Sequence, residues 1–328
     1  MNKIKELVRF FYYINFLNEG KVGASNAKML SVFASPRGGS TWLAQTLNQL
    51  PNSALVWEPL FKYNSYKINT FNPFAYPERH EVDISWNQYI PKDAKWNEAE
   101  LFFKKLFDRV IVNLKLYRFN DLSQLAISDT FIFKFCFGNN LLPWLVERFE
   151  INPILLLRHP CAIIASQLHF AAFNWHKTNY KYDYNMRMFA DEFYAPYKDV
   201  LNTITCVEER LAAEWAMNVL TPIKSEWNDK KWVTLSYEHL IKDPNSAFQK
   251  IFNRYNIEEP EGLYEQLNKT SFTKSSFEGK GNDERLNSWK NQLTDKQIDI
   301  ILSFVNRLGV YFYTDDLEPD YNKIYHEI

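Results

Sequence analysis

The feature that most constrains this chain is the run Ser35-Pro-Arg-Gly-Gly-Ser-Thr41. It follows the apolar stretch Met29 to Ala34, which reads as a buried parallel strand, and precedes a helical pattern from Thr41 to Leu50. The sequence holds only 9 glycines, yet Gly38 and Gly39 are adjacent, so this turn needs unusual backbone freedom. A strand, a tight loop and a helix N-terminus together offer consecutive backbone N–H groups, the Arg37 cation and the Ser40 and Thr41 hydroxyls to an oxyanion. An ordinary Gly-Gly turn capped by Ser40 or Thr41 is the bland alternative. The run lacks the first glycine of G-x-x-x-x-G-K-[ST] and has Arg37 ahead of the glycine pair instead of a Lys before the hydroxyl, which weakens a Mg-nucleotide triphosphatase reading.

Further short apolar runs at Ala54 to Trp57, Thr130 to Phe137, Ile154 to Leu157 and Trp232 to Leu235 alternate with longer helical or irregular segments. That alternation predicts an α/β fold with a P-loop-type central parallel sheet flanked by helices. Glu208 to Asn218, with Leu211, Trp215 and Leu220 at helical spacing, predicts a core-facing helix. No repeat or Pro/Gly/Ser-rich linker divides the 328 residues, so one domain over 1–328 is expected, with a helical segment at 1–28. Segments 62–130 and 168–207 are aromatic, polar insertions after strand ends, where open α/β sheets bind ligands, and they are the expected acceptor sites.

Lys plus Arg is 38 and Asp plus Glu is 39, a net charge of −1 with no global pull toward nucleic acid, so any anion site is local. Three scattered cysteines, Cys136, Cys161 and Cys206, suit neither a disulfide framework nor a metal knuckle and point to a reducing, cytoplasmic setting. The apolar run Phe10 to Leu17 is too short to span a bilayer, although residues 4 to 17 leave a peripheral membrane-surface contact by the N-terminal helix open. The oligomeric state is not legible.

Ser35-Pro-Arg-Gly-Gly-Ser-Thr-Trp-Leu43 resembles the 5′-phosphosulfate loop of sulfotransferases that use 3′-phosphoadenosine 5′-phosphosulfate (PAPS), commonly P-[KR]-S-G-[ST]-[ST]-W, with Gly38 where Ser is usual. Leu155-Leu-Leu-Arg-His-Pro-Cys-Ala-Ile-Ile-Ala-Ser166 resembles the family's 3′-phosphate motif, which implies that Arg158 and Ser166 grip that phosphate. Val233-Thr-Leu-Ser-Tyr-Glu-His-Leu-Ile-Lys-Asp-Pro244 is similar to the strand ending Y-E-[DH]-L and implies that Tyr237 lies near adenine. Phe277 to Lys290 resembles the basic loop before W-[KR] that closes over the nucleotide, with Lys280 or Arg285 on phosphate. The resemblance therefore implies a PAPS-dependent enzyme, with Arg37, Gly38, Gly39, Ser40, Thr41, Trp42, Arg158, Ser166, Tyr237, Lys280 and Arg285 on the donor and no metal required.

For the chemistry, Arg37 is placed to stabilise the leaving oxygen electrostatically, since a guanidinium is no general acid. Thr130 to Pro143 looks like the family's K-T-H-x-P-x-x-L-L-P segment, which aligns Lys134 with the Lys that contacts the sulfuryl group but puts Cys136 where phenol and steroid sulfotransferases have their base. Leu55-Val-Trp-Glu-Pro-Leu-Phe61 resembles the [FW]-E-P-L segment of carbohydrate sulfotransferases, so Glu58 is the expected base and a saccharide, polysaccharide or glycolipid hydroxyl the expected acceptor. A salt-bridge role in which Glu58 orients Arg37 is the alternative, as are His169 and His176 as bases. A Mg-nucleotide-dependent small-molecule kinase and a catalytically silent nucleotide- or glycan-binding protein stand as the competing functions.

Overall fold

The computed structural model describes residues 20–60, 82, 84, 87–111, 116–169, 180–184, 186, 188–261, 263 and 282–325. Five parallel strands, β1 (Lys28–Ala34), β2 (Ser53–Trp57), β3 (Thr130–Phe135), β4 (Pro153–Leu157) and β5 (Val233–Ser236), form one sheet in the order β2-β3-β1-β4-β5. The register pairs Val32 with Lys134 on one side and with Ile154 on the other, so β1 is central. The five strands fall within a residue or two of the runs read from the sequence. The strand expected to reach Phe137 stops at Phe135, because Gly138 already begins a 3₁₀ turn over Asn139–Leu141.

Alternate residues face opposite layers, and both layers are buried, which is why the strands read as continuous apolar runs. Phe33, Val56, Phe133, Phe135 and Leu155 belong to one core cluster. Leu30, Val32, Leu55, Ile132, Leu156 and Leu235 belong to the other. The first layer is built from helices α2 (Asn97–Phe107), α3 (Pro160–Leu168), α4 (Val207–Lys224) and, later in the chain, Asp295–Arg307. The second layer holds the short helix α1 (Ser40–Leu47) together with α5 (Tyr237–Lys242) and α6 (Pro244–Tyr255).

The first insertion, read over 62–130, contains α2, whose Ala99, Phe102, Phe103, Leu106 and Phe107 recur at helical spacing and are buried. Short helices at Ala190–Tyr194 and Lys198–Leu201 likewise interrupt the second insertion. The core-facing helix read over Glu208 to Asn218 is α4, in which Leu211, Trp215 and Leu220 are buried. Among the described residues no helix is long and apolar enough to cross a membrane.

Candidate active site

The loop after β1 depends on two left-handed backbones, Arg37 at φ 71° and Gly39 at φ 95°. Gly38 N–H donates to the Ser35 carbonyl at 2.9 Å, and a Cβ on Gly38 would stand 2.7 Å from that same oxygen. A Cβ on Gly39 would stand 2.5 Å from the Tyr237 ring. Gly39 is the N-cap of the Ser40–Leu47 helix and offers no side chain, so the hydroxyl cap foreseen as an alternative is not made. The first-turn N–H groups are therefore left to a ligand or solvent. The loop is tied to the first layer by Asn218 Nδ2, which donates to Ser35 Oγ at 3.0 Å, and by Gln167 Nε2, which donates to the Pro36 carbonyl at 3.3 Å.

Side chains expected to bind phosphate meet here. Arg37 Nε donates to Ser166 Oγ at 3.0 Å across 129 residues of sequence. Arg158 Nη1 donates to the Arg37 carbonyl at 2.9 Å, and its guanidinium lies 4.3 Å from the centre of the Tyr237 ring. Tyr237 also meets Trp42 edge-on at 6.5 Å and accepts from Arg285 Nη2 at 3.4 Å. Ser166 thus faces Arg37, not the Ala162 carbonyl of its own helix. Burial, and then the charge of Arg158, push Arg37 below its ordinary pKa. Two guanidiniums held together in this way are relieved by an anion. The Nε atoms of Arg158 and Arg285 and the Trp42 indole nitrogen are buried with no hydrogen-bond partner among the described residues. Thr41 stands half-buried in the same first turn. Lys280 lies outside the described residues.

On the other flank of the loop, β3 carries Lys134 at a position whose neighbours on that face are Ile132 and Trp57. Its ammonium is almost fully buried, pairs with Glu58, and donates to Cys136 Sγ at 3.1 Å. Cys136 Sγ in turn donates to Glu58 Oε1 at 3.3 Å and lies 3.4 Å from Ser40 Oγ, which links the carboxylate to the loop helix. Glu58 itself sits just past β2 at φ 43°, with its N–H on the Lys134 carbonyl at 2.9 Å. Burial opposes the Lys134 charge, but Cys136 and Glu58 outweigh it, so the ammonium is held above its usual pKa. Burial and the Glu58 charge push the Cys136 thiol to about 11, so it stays protonated near neutrality. Sequence reasoning noted Cys136 only as a missing base; its place two residues beyond Lys134, on the same face, was the available signal. Arg118, exposed and over Phe119 at 4.8 Å, feels the Glu58 charge and was not foreseen.

The histidines divide differently. His159 is buried, its pKa lowered to about 4 by burial, so it remains neutral. The His169 ring is hydrogen-bonded at 2.8 Å to the Ala165 carbonyl at the end of α3. His176 lies outside the described residues.

A parallel sheet whose strand ends hold a glycine loop, two clustered guanidiniums and a lysine–carboxylate pair offers several donors to an anionic group. The sulfotransferase domain model matches residues 29–308, and the chain belongs to that family. No curated protein sequence matches the chain. Among solved structures, the sulfotransferase domain of the Synechococcus PCC 7002 olefin synthase is similar at 14% identity and TM-score 0.41, covering 86% of this chain and 96% of that one. The sulfotransferase domain from the curacin biosynthetic pathway, also at 14% identity, gives TM-score 0.46 over 87% of this chain and 97% of its own. Mouse sulfotransferase SULT7A1, complexed with PAP, gives 12% identity and TM-score 0.41 over 88% and 87%.

Proposed function

We propose that the enzyme transfers a sulfuryl group from PAPS to a hydroxyl of a saccharide, polysaccharide or glycolipid. The observation that carries the donor half is the convergence of Arg37, Ser166 and Arg158 on one loop, from positions 129 and 121 residues apart in sequence. The residues fit a bisphosphorylated nucleotide: an uncapped first turn, guanidinium nitrogens on Arg158 and Arg285 with no partner among the described residues, and a bare Gly39 beneath the Tyr237 ring. PAPS supplies the sulfuryl group on a 5′-phosphate leaving group. In this reading the first-turn N–H groups, Ser40 and Thr41 hold that end, Arg37 and Lys134 stabilise charge on the transferred group and leaving oxygen, and Arg158 and Ser166 grip the 3′-phosphate. Arg285, and Lys280 by its sequence position, close on the same phosphate.

Glu58 is the proposed base, since the buried Cys136 thiol stays protonated and its hydrogen bond, with Lys134, orients the carboxylate. A saccharide is favoured over a phenol by the Glu58-Pro-Leu60 segment and by Cys136 in place of a histidine. The insertions at 62–130 and 168–207 are assigned to the acceptor.

Thermal unfolding of the purified chain with adenosine 3′,5′-bisphosphate, ADP or Mg-ATP tests the donor. At about 100 times Kd the bisphosphate adds about 2.7 kcal/mol, read as a raised Tm that Arg158→Ala loses. A larger shift with Mg-ATP overturns the reading in favour of a kinase. Labelled sulfate transfer to a saccharide panel beside phenols tests the acceptor, and transfer to phenols alone removes the saccharide.

A further inference from the structure

Behind the phosphate-facing side chains lies a set of buried contacts that the proposed reaction does not use. Arg158 is the first residue beyond β4, so no strand pairing fixes it. The peptide that joins it to His159 is nevertheless gripped on both edges. Its carbonyl accepts from Trp215 Nε1 of α4 at 3.2 Å, and its N–H donates to Glu238 Oε1 of α5 at 3.0 Å. The second Glu238 oxygen accepts from Tyr313 Oη at 2.9 Å. Glu238 is 2% exposed and Tyr313 1%, so neither group has water as a substitute partner.

The His159 ring completes the arrangement from the other side. Its Nδ1 accepts from Cys161 N at 3.2 Å, which leaves Nε2–H to donate to the Thr314 carbonyl at 2.8 Å. The ring stacks on Trp289 at 4.5 Å and meets Tyr313 edge-on at 4.9 Å. Burial raises the Glu238 carboxyl above its usual pKa, and the His159 N–H and Tyr313 O–H donors act against that rise. A buried carboxyl is costly and is retained where its hydrogen bonds fix something.

What it fixes is a peptide plane whose rotation would swing the Arg158 side chain. A guanidinium at the end of a long side chain moves by ångströms for a small backbone rotation, and phosphate recognition depends on its fork direction. The structure assigns to Glu238 the role of positioning residue for Arg158, with Trp215 as its counterpart and Tyr313 as the strut that ties this grip to the chain's C-terminal region. This rests on the reading of Arg158 as the 3′-phosphate ligand.

The test is the ratio of affinities for adenosine 3′,5′-bisphosphate and adenosine 5′-monophosphate, which differ only in the 3′-phosphate, measured by titration calorimetry on the full chain. Arg158→Ala sets the baseline by removing the preference for the bisphosphate. Glu238→Ala is expected to lower the ratio about tenfold with the monophosphate affinity unchanged, and Glu238→Gln, which keeps an oxygen for His159 N–H, to restore most of it. Tyr313→Phe, a gentler change should the alanine variant not fold, is expected to lower the ratio roughly threefold. Equal weakening of both ligands, or an unchanged ratio in Glu238→Ala and Tyr313→Phe, overturns the assignment and leaves Glu238 a packing staple. An unchanged ratio in Arg158→Ala overturns the reading beneath it.

Discussion

At the residue scale, one close tolerance lies between Gly39 and the Tyr237 ring. Gly39→Ala adds both a Cβ 2.5 Å from that ring and a left-handed backbone at φ 95° that alanine disfavours. The variant is expected to lose about 1–3 kcal/mol of stability and to bind the bisphosphate more weakly, read as Tm and Kd together. Glu58→Gln is expected to lower kcat by about 10²–10⁴ with bisphosphate Kd unchanged, whereas equal loss of both would make Glu58 a structural partner of Lys134. His159 gives a pH signature. Its folded pKa of about 4 lies below its ordinary 6.5, so within that window the unfolded chain takes up the extra proton. Stability from the neutral ring is whole above the window, shrinks as pH falls through it and is gone below it, an effect on the order of 3 kcal/mol. Urea midpoints from neutral pH down to the lower end of that window should fall more steeply for the parent than for His159→Asn, which keeps a capping oxygen for Cys161 N.

At the scale of elements, helix capping can be tested apart from the donor site. The Asp295–Arg307 helix opens with a capping box in which Thr294 Oγ1 accepts from Gln297 N and the Gln297 side chain accepts from Thr294 N. Thr294→Ala should cost about 1 kcal/mol by chemical denaturation and leave the bisphosphate preference untouched. Elements were legible where one local rule decided them. Each strand is buried on both faces and so reads as an apolar run, and the helix start at Pro160 follows from proline at the first helical position. The tight turn after β1 was legible because Gly38 and Gly39 are contiguous. The start of α2 was missed because Trp96 at its N-cap gives no capping signal. The Cys136 link to Ser40 and the Glu238 grip were not legible, since each joins elements that only the strand order brings side by side.

At the scale of the whole molecule, the central place of β1 governs, in the proposed reaction, how donor and acceptor meet. The ends of β4 and β5 give Arg158 and Tyr237 to one side of the loop, and the ends of β2 and β3 give Glu58 and Lys134 to the other. With the only thiol among the described site residues held protonated, transfer is expected to be direct. Initial-rate lines at several fixed acceptor concentrations should then intersect, while parallel lines would mean a sulfated enzyme intermediate. The same sheet order is also an evolutionary partition. In the proposed reaction, a lineage can recut the segment that follows β2 for a new acceptor while Arg158 and Tyr237, across the Ser35–Gly39 loop, are inherited unchanged.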